Sequence, residues 1–325
     1  MNLRTLTPAG RRRIALERGV LHSQNREPGL RDVDKQGTVN SEGIRVYYYR
    51  SGPVDATTTV VFVHGFTLAA ESYYLQVKHL RQHHPEVACL LLDLRGHGQT
   101  GAVAAPKCTI DGLAHDVRET IAQQAPEGRL ILVGHSLGGL AVLAALRQML
   151  VEDPACHARV AGVTLVSTSI ESLSAQGIPQ ILASPLADRV MEAVEASPDD
   201  ARQVREAAAK FLAPTLATAV FKRSTDYELV EFHAAMIHET PLTSFVGFFD
   251  DLQEHGELDA VPALQGIPGF IITGEKDEVT PLSQAERLWE VWPEAWFQIA
   301  AGAGHMLILE APDIVNQAIS RLLEN

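Results

Sequence analysis

One stretch constrains this chain more than any other: Arg129-Leu130-Ile131-Leu132-Val133-Gly134-His135-Ser136-Leu137-Gly138-Gly139. An apolar run of strand type meets a Gly-rich turn. The turn carries a serine, and a long Ala/Leu-rich segment of helix type follows. A strand–turn–helix of this kind holds a serine at a sharp, strained point above a sheet. The chain folds back so tightly there that positions two before and two after the serine must be small. Gly134 and Gly138 occupy them.

The rest of the chain supplies the sheet that such a turn needs. Thr57 to Val63 and Val87 to Leu92 are buried strand runs, joined by residues 71–84 at helical spacing. Residues 111–124 read as a helix with Leu113, Val117 and Ile121 four apart. Leu130–Val133 is the strand before the serine and 137–151 the helix after it. Val160–Val166, Gly269–Thr273 and Trp296–Ile299 are further strands. A helix around Leu282–Trp292 precedes the last of these, and residues 312–324 form a final helix opened by Pro312. Thr38–Val39 and Gly43–Arg50 read as a strand pair. Strands that alternate with helices and run continuously apolar predict a mostly parallel sheet covered on both faces, an α/β fold.

Two segments stand outside this alternation. Residues 1–37 are polar and Arg-rich, an N-terminal arm with room for a short helix near Arg11 to Leu21. A lid over the body and a dimer contact are both open roles for it. Residues 169–262 contain no buried strand run but helical stretches at Ile181–Val194, 199–212, about 225–238 and Phe245 to Leu252, punctuated by prolines. They predict a helical cap inserted after the sixth strand, between core segments 38–168 and 263–325.

Bulk properties exclude some classes of function. The 325 residues allow one large domain with an insertion, or two domains, and 46% of them are apolar. A formal charge of −13 disfavours nucleic acid and anionic membrane surfaces as partners. No run approaches the ~18 apolar residues of a membrane span. Arg11-Arg12-Arg13 is followed by no apolar segment, so no secretory signal is expected. Cys89, Cys108 and Cys156 are odd in number and widely spaced, which suits neither a disulfide framework nor a metal site. A reducing, cytoplasmic location follows as the expectation. Monomer and homodimer stay open.

A serine hydroxyl is a poor nucleophile near neutral pH, so chemistry at Ser136 needs a base, an acid to orient that base, and two preorganised N–H donors for the oxyanion. His305, in Gly302-Ala303-Gly304-His305, follows the last strand in a loop free to present its ring. Asp277, in Gly274-Glu275-Lys276-Asp277, follows a strand at its carboxyl end, where parallel sheets place functional groups. Leu137 follows the serine at a helix N-terminus, and Phe66 follows His64-Gly65 after an earlier strand. Their backbone N–H groups are the candidate oxyanion donors.

Five motifs in this order resemble the α/β-hydrolase superfamily, in its branch with a helical cap: His64-Gly65-Phe66, Asp93-Leu94-Arg95-Gly96-His97-Gly98, Gly134-His135-Ser136-Leu137-Gly138-Gly139, Gly274-x-x-Asp277 with Pro281, and Gly304-His305. The resemblance covers residues 38–325 and implies a Ser136–Asp277–His305 triad. It implies a structural role for Asp93, Arg95 and His97. It also sets aside haloalkane dehalogenases and epoxide hydrolases, which carry an aspartate where this chain has Ser136.

The expectation is a serine hydrolase of carboxylic esters, with a small or medium-sized, partly apolar substrate. C–C bond hydrolases, thioesterases and cofactor-free haloperoxidases or perhydrolases use the same triad. A non-catalytic ligand-binding member of the fold is the remaining alternative. No metal or organic cofactor is implied. Six of the ten phenylalanines fall in the cap, at 211, 221, 232, 245, 248 and 249. They line an apolar pocket above Ser136 or form the cap's own core. His64, His135, Phe245, Phe248 and Met306 are the candidate pocket residues.

Overall fold

The computed structural model describes residues 28–172 and 220–324. Eight strands form one sheet in the order β1-β2-β4-β3-β5-β6-β7-β8. They are β1 (Lys35–Ser41), β2 (Ile44–Ser51), β3 (Thr58–Val63), β4 (Ala88–Asp93), β5 (Arg129–His135), β6 (Val160–Val166), β7 (Gly269–Gly274) and β8 (Trp296–Ala300). β1 and β2 pair antiparallel, as do β2 and β4. From β4 to β8 every pairing is parallel. β1 begins at Lys35, inside the segment that composition alone assigns to the arm.

Among the described residues the α-helices of six or more residues are α1 (Tyr74–His83), α2 (Ile110–Gln124), α3 (Leu137–Glu152), α4 (Tyr227–Glu239), α5 (Leu242–Gly247), α6 (Phe249–Glu254), α7 (Leu282–Val291) and α8 (Pro312–Glu324). Alternate side chains of each central strand serve opposite faces, as strand geometry requires. Val61, Val63, Leu90, Leu92, Leu130 and Leu132 pack with Leu113 and Val117 of α2, Leu143 and Leu146 of α3, and Leu288 of α7. Val60, Phe62, Cys89, Leu91, Ile131 and Val133 pack with Val77 and Leu80 of α1 and Ile319 and Leu322 of α8. The result is a three-layer α/β/α sandwich whose strands are buried on both sides, the reason they read as unbroken apolar runs.

The predicted helix over 71–84 is divided: Ala70–Tyr73 is a turn of 3₁₀ helix and α1 follows it. The predicted helix from Phe245 to Leu252 is likewise two pieces, α5 and α6, with the break at Phe248. Gly247 lies directly on Cys108, where an added Cβ would stand 2.7 Å from its sulfur. The helices expected at Ile181–Val194 and 199–212 lie outside the described residues, as does the arm before residue 28.

The described part of the insertion is fastened to the core at several points. Ser244 donates to the Gly96 carbonyl at 2.6 Å, and Asp251 accepts the N–H of Ile110 at the start of α2 at 2.6 Å. Glu257, just beyond α6, holds the Arg147 guanidinium of α3 at 3.0 Å. Phe232 and Met236 of α4 are buried in the layer that contains α1 and α8.

Strand register gathers the functional loops. Val63 is level with Gly134, His135 with Val166, Val166 with Ile272, and Gly274 with Ala300. The loops after β3, β5, β7 and β8 therefore leave the sheet along one line.

Candidate active site

The turn after β5 is as tight as its glycines imply. A Cβ on Gly134 would stand 2.6 Å from the Gly138 carbonyl oxygen, and one on Gly138 would stand 2.1 Å from that of Val63. Ser136 itself adopts φ 53° and ψ −122°, a region that non-glycine residues avoid. Its N–H donates to Val166 at 2.9 Å, and its carbonyl accepts the Thr168 hydroxyl at 2.7 Å. The strain is thus held from both sides by β6 and the residues that follow it.

The loop after β8 brings His305 to this turn. Its Nδ1–H donates to Asp277 Oδ2 at 2.9 Å, and its ring centroid lies 5.0 Å from that of His135, the neighbour of Ser136. With Nδ1 carrying the hydrogen, Nε2 is left as the basic nitrogen. Asp277 is saturated: Oδ1 accepts the N–H groups of Val279 and Thr280, each at 2.9 Å, and Oδ2 accepts the Thr280 hydroxyl at 2.9 Å. Burial alone would raise its pKa. The attraction and hydrogen bond of His305, with the two backbone N–H groups, outweigh burial and hold the carboxyl below its ordinary value. Ser136 and His305 are both buried, at 5% and 6% exposure.

The loop after β3 lies against the serine. A Cβ on Gly65 would stand 3.2 Å from Ser136 Cβ and 2.8 Å from His135 Nδ1, so only glycine fits. Phe66 N–H and Leu137 N–H have no hydrogen-bond partner among the described residues. Leu137 opens α3, where the helix dipole adds positive potential. The Phe66 ring belongs to an aromatic group with His97 (5.7 Å), Phe245 (5.2 Å) and Phe248 (6.2 Å between centroids), at the seam between core and insertion.

Several expected pocket residues have other positions. His64, Phe248 and Met306 are sealed from water, at 0%, 0% and 2% exposure. His64 donates from Nδ1 to the Gly65 carbonyl (2.8 Å) and accepts the Leu94 N–H at Nε2 (3.1 Å), bracing two turns together. Phe248 and Met306 belong to the packed core on opposite faces of the sheet. His135 is also buried, with Nε2–H donating to the His305 carbonyl at 3.0 Å. Burial pushes the pKa of His64 down to about 4 and that of His135 to about 3, so both are neutral. Phe245 alone of the five is half-buried. Among the described cap phenylalanines, Phe221 and Phe232 are buried in the core cluster, while Phe211 lies outside the described residues.

The turn after β4 is structural in its bonding. Asp93 accepts Ala70 N–H (2.8 Å), Gln99 N–H (2.7 Å) and the Tyr49 hydroxyl (3.0 Å), and Arg95 makes paired bonds to Asp116 at 2.9 and 2.7 Å. Glu310 escaped the sequence reading. Its carboxylate sits behind His305, and nothing in its local sequence marks it.

A strained serine turn, a His–Asp pair and two N–H groups without a partner among the described residues, all at the carboxyl end of a parallel sheet, are the arrangement of the α/β-hydrolase class. A family model described as "Alpha/beta hydrolase family" matches residues 60–318, and the chain belongs to that family. A thermophilic esterase from Thermogutta terrifontis has a similar structure, with a TM-score of 0.69, 22% identity, and coverage of 89% of this chain and 98% of that one. An enol-lactonase from Burkholderia xenovorans LB400 gives a TM-score of 0.66 at 20% identity, covering 90% and 100%. These show the fold. A proline iminopeptidase from Xylella fastidiosa (strain 9a5c) is 42% identical over 59 residues, 18% of each chain. Among the described residues no helix is long and apolar enough to cross a membrane, and no group of three or more His, Cys, Asp or Glu could hold a metal ion.

Proposed function

We propose that this protein is a serine hydrolase that cleaves carboxylic esters of a small or medium-sized, partly apolar substrate through an acyl-enzyme on Ser136. The observation that carries the reading is the His305–Asp277 hydrogen bond at 2.9 Å, set beside a serine held at φ 53°. His305 Nε2 takes the Ser136 hydroxyl proton as Oγ attacks the ester carbonyl carbon. The carbonyl oxygen becomes an oxyanion, and the N–H groups of Phe66 and Leu137 stabilise it. His305 returns the proton to the departing alkoxide, and an alcohol leaves. Water, deprotonated by the same nitrogen, then attacks the acyl carbon; the bond to Oγ breaks, His305 returns the proton to Ser136 and the acid is released.

The half-buried rings of Phe66 and Phe245, in the loop after β3 that lies against Ser136 and in the insertion packed on it, support a partly apolar acyl group. A lactone is a cyclic ester and undergoes the same two steps, so the likeness to an enol-lactonase brings lactones into the substrate screen. The three cysteines are free and buried, which supports the cytoplasmic placement.

A fluorophosphonate probe tests the reading directly. Wild-type protein is expected to form one adduct, on Ser136, and S136A none. S136A should also lose nearly all turnover of p-nitrophenyl acetate, retaining at most a residual ~10³–10⁴-fold over water. An unlabelled wild type, or a fully active S136A, would sink the assignment. A series of p-nitrophenyl esters from acetyl to decanoyl reads the acyl pocket, and equal rates along it would refute an apolar one.

A further inference from the structure

The loop that carries His305 is also held from the side away from Asp277. Glu310 closes the single helical turn Leu307–Glu310, and its carboxylate collects three backbone N–H groups. Oε2 accepts Gly304 N–H at 2.7 Å, from the residue immediately before His305. Oε1 accepts Lys222 N–H at 2.5 Å and also the N–H of Arg223. Lys222 and Arg223 belong to the segment 220–226 that leads into α4. One oxygen therefore serves the loop after β8, and the other serves the insertion.

Other bonds join the same two segments. His305 N–H donates to the Val220 carbonyl at 2.9 Å. The Arg223 guanidinium donates to the Ala301 carbonyl at 3.0 and 2.6 Å. Lys222 Nζ reaches Glu278, next to Asp277, at 2.7 Å. A Cβ on Gly304 would stand 2.4 Å from the Val220 oxygen, so the two backbones are in direct contact. Bonds from N–H groups to a carboxylate are roughly twice as strong as neutral ones. Three of them converge on Glu310.

We infer that Glu310 is a positioning residue: it locks the main chain at His305 to the foot of the insertion at 220–223, so that the imidazole is held ready for Ser136 only while that foot is seated. The inference rests on the reading of His305 as the base. Glu310 acts through backbone and not through the imidazole ring.

The variant E310Q tests it. Glutamine keeps the length, but its amide nitrogen is a donor turned toward backbone donors, so one side of the clamp is lost. The readout is kcat for p-nitrophenyl butyrate per active site titrated with a fluorophosphonate, a quantity that a smaller folded fraction does not change. The expected result is a fall of roughly 10- to 100-fold in kcat per titrated site, with KM little altered and the rate of phosphonylation falling in step. E310D, a carboxylate on a shorter arm, should recover part of the loss. Wild-type kcat per titrated site in E310Q overturns the inference. Amide exchange of the wild-type protein gives a second reading that needs no variant. Gly304, Lys222 and Arg223 should share one opening free energy, read as a common protection factor once intrinsic rates are divided out, and unrelated protection factors overturn the inference even where E310Q does not fold. A wild type that takes no fluorophosphonate marks failure of the serine hydrolase reading instead, and the exchange pattern then decides the clamp.

Discussion

His135 Nε2 and the main-chain carbonyl of His305 lie 3.0 Å apart, across 170 residues of sequence. The bond ties the turn that carries Ser136 to the loop that carries His305. It needs a hydrogen on Nε2, and although the bond itself favours the protonated ring, burial keeps the ring neutral by lowering the His135 pKa to about 3.

Three fully buried histidines of this kind make the fold sensitive to acid. Burial depresses His64 to about 4, and His97 and His135 to about 3, against about 6.5 in an unfolded chain. Below pH 6.5 the unfolded chain therefore takes up protons that the folded one refuses, and stability falls as pH falls. Three such groups give a slope approaching about 4 kcal/mol per pH unit between pH 6 and 4. Urea unfolding from pH 7.5 to 4.5 should show the midpoint dropping steeply below pH 6. A flat profile would contradict the pKa depression.

A fourth histidine predicts the opposite trend at high pH. His255 stands between Asp251 (3.7 Å) and Glu257 (2.5 Å). Burial would lower its pKa, but the two carboxylates raise it to about 9. Its contribution is complete below pH 6.5 and is lost as pH rises through about 9. H255Q should remove that alkaline loss and flatten the stability profile between pH 7.5 and 10, as read by thermal melting across the range.

Asn at position 277 would keep the shape of the acid and change its chemistry. The side-chain amide offers a donor to His305 Nδ1, which favours the wrong tautomer. D277N is expected to fold and to lose about 10⁴-fold in kcat. Circular dichroism with ester turnover separates the two effects, and an active D277N would show that a different carboxylate orients His305.

Adding one methyl group inside the elbow should unfold the chain. G138A places a Cβ 2.1 Å from the Val63 oxygen, which no side-chain rotation relieves. A loss of more than ~3 kcal/mol is expected. Urea denaturation, or failure to accumulate soluble protein, is the readout. Gly256, which has no positive φ and whose Cβ would make only ordinary contacts at 3.5 Å or more, is the control for the generic effect of removing a glycine.

The core and the turns of the candidate site were legible as structure because their constraints are local in sequence. A strand buried on both faces shows as an unbroken apolar run, and the elbow shows as glycines at fixed offsets from Ser136. The insertion was harder. Phe248 and Phe245 look alike on a helical wheel, yet one is sealed against Gly96 and His97 while the other is half-buried beside Phe66. His64 was misread because a histidine before a glycine at a strand end has the same signature whether it faces a ligand or braces a turn. Glu310 left no trace, because its three partners come from two segments far apart in sequence.

The position of β5 between β3 and β6 separates the lifetime of the frame from that of the site. Leu130 to Val133 are wholly buried and paired on both sides. Their amides should exchange only when the whole molecule unfolds. His305, by contrast, sits in a loop whose ties run to the edge of the insertion. On heating, ester turnover should therefore fade several degrees before the far-ultraviolet signal does, leaving an intact scaffold with a dispersed triad that recovers on cooling.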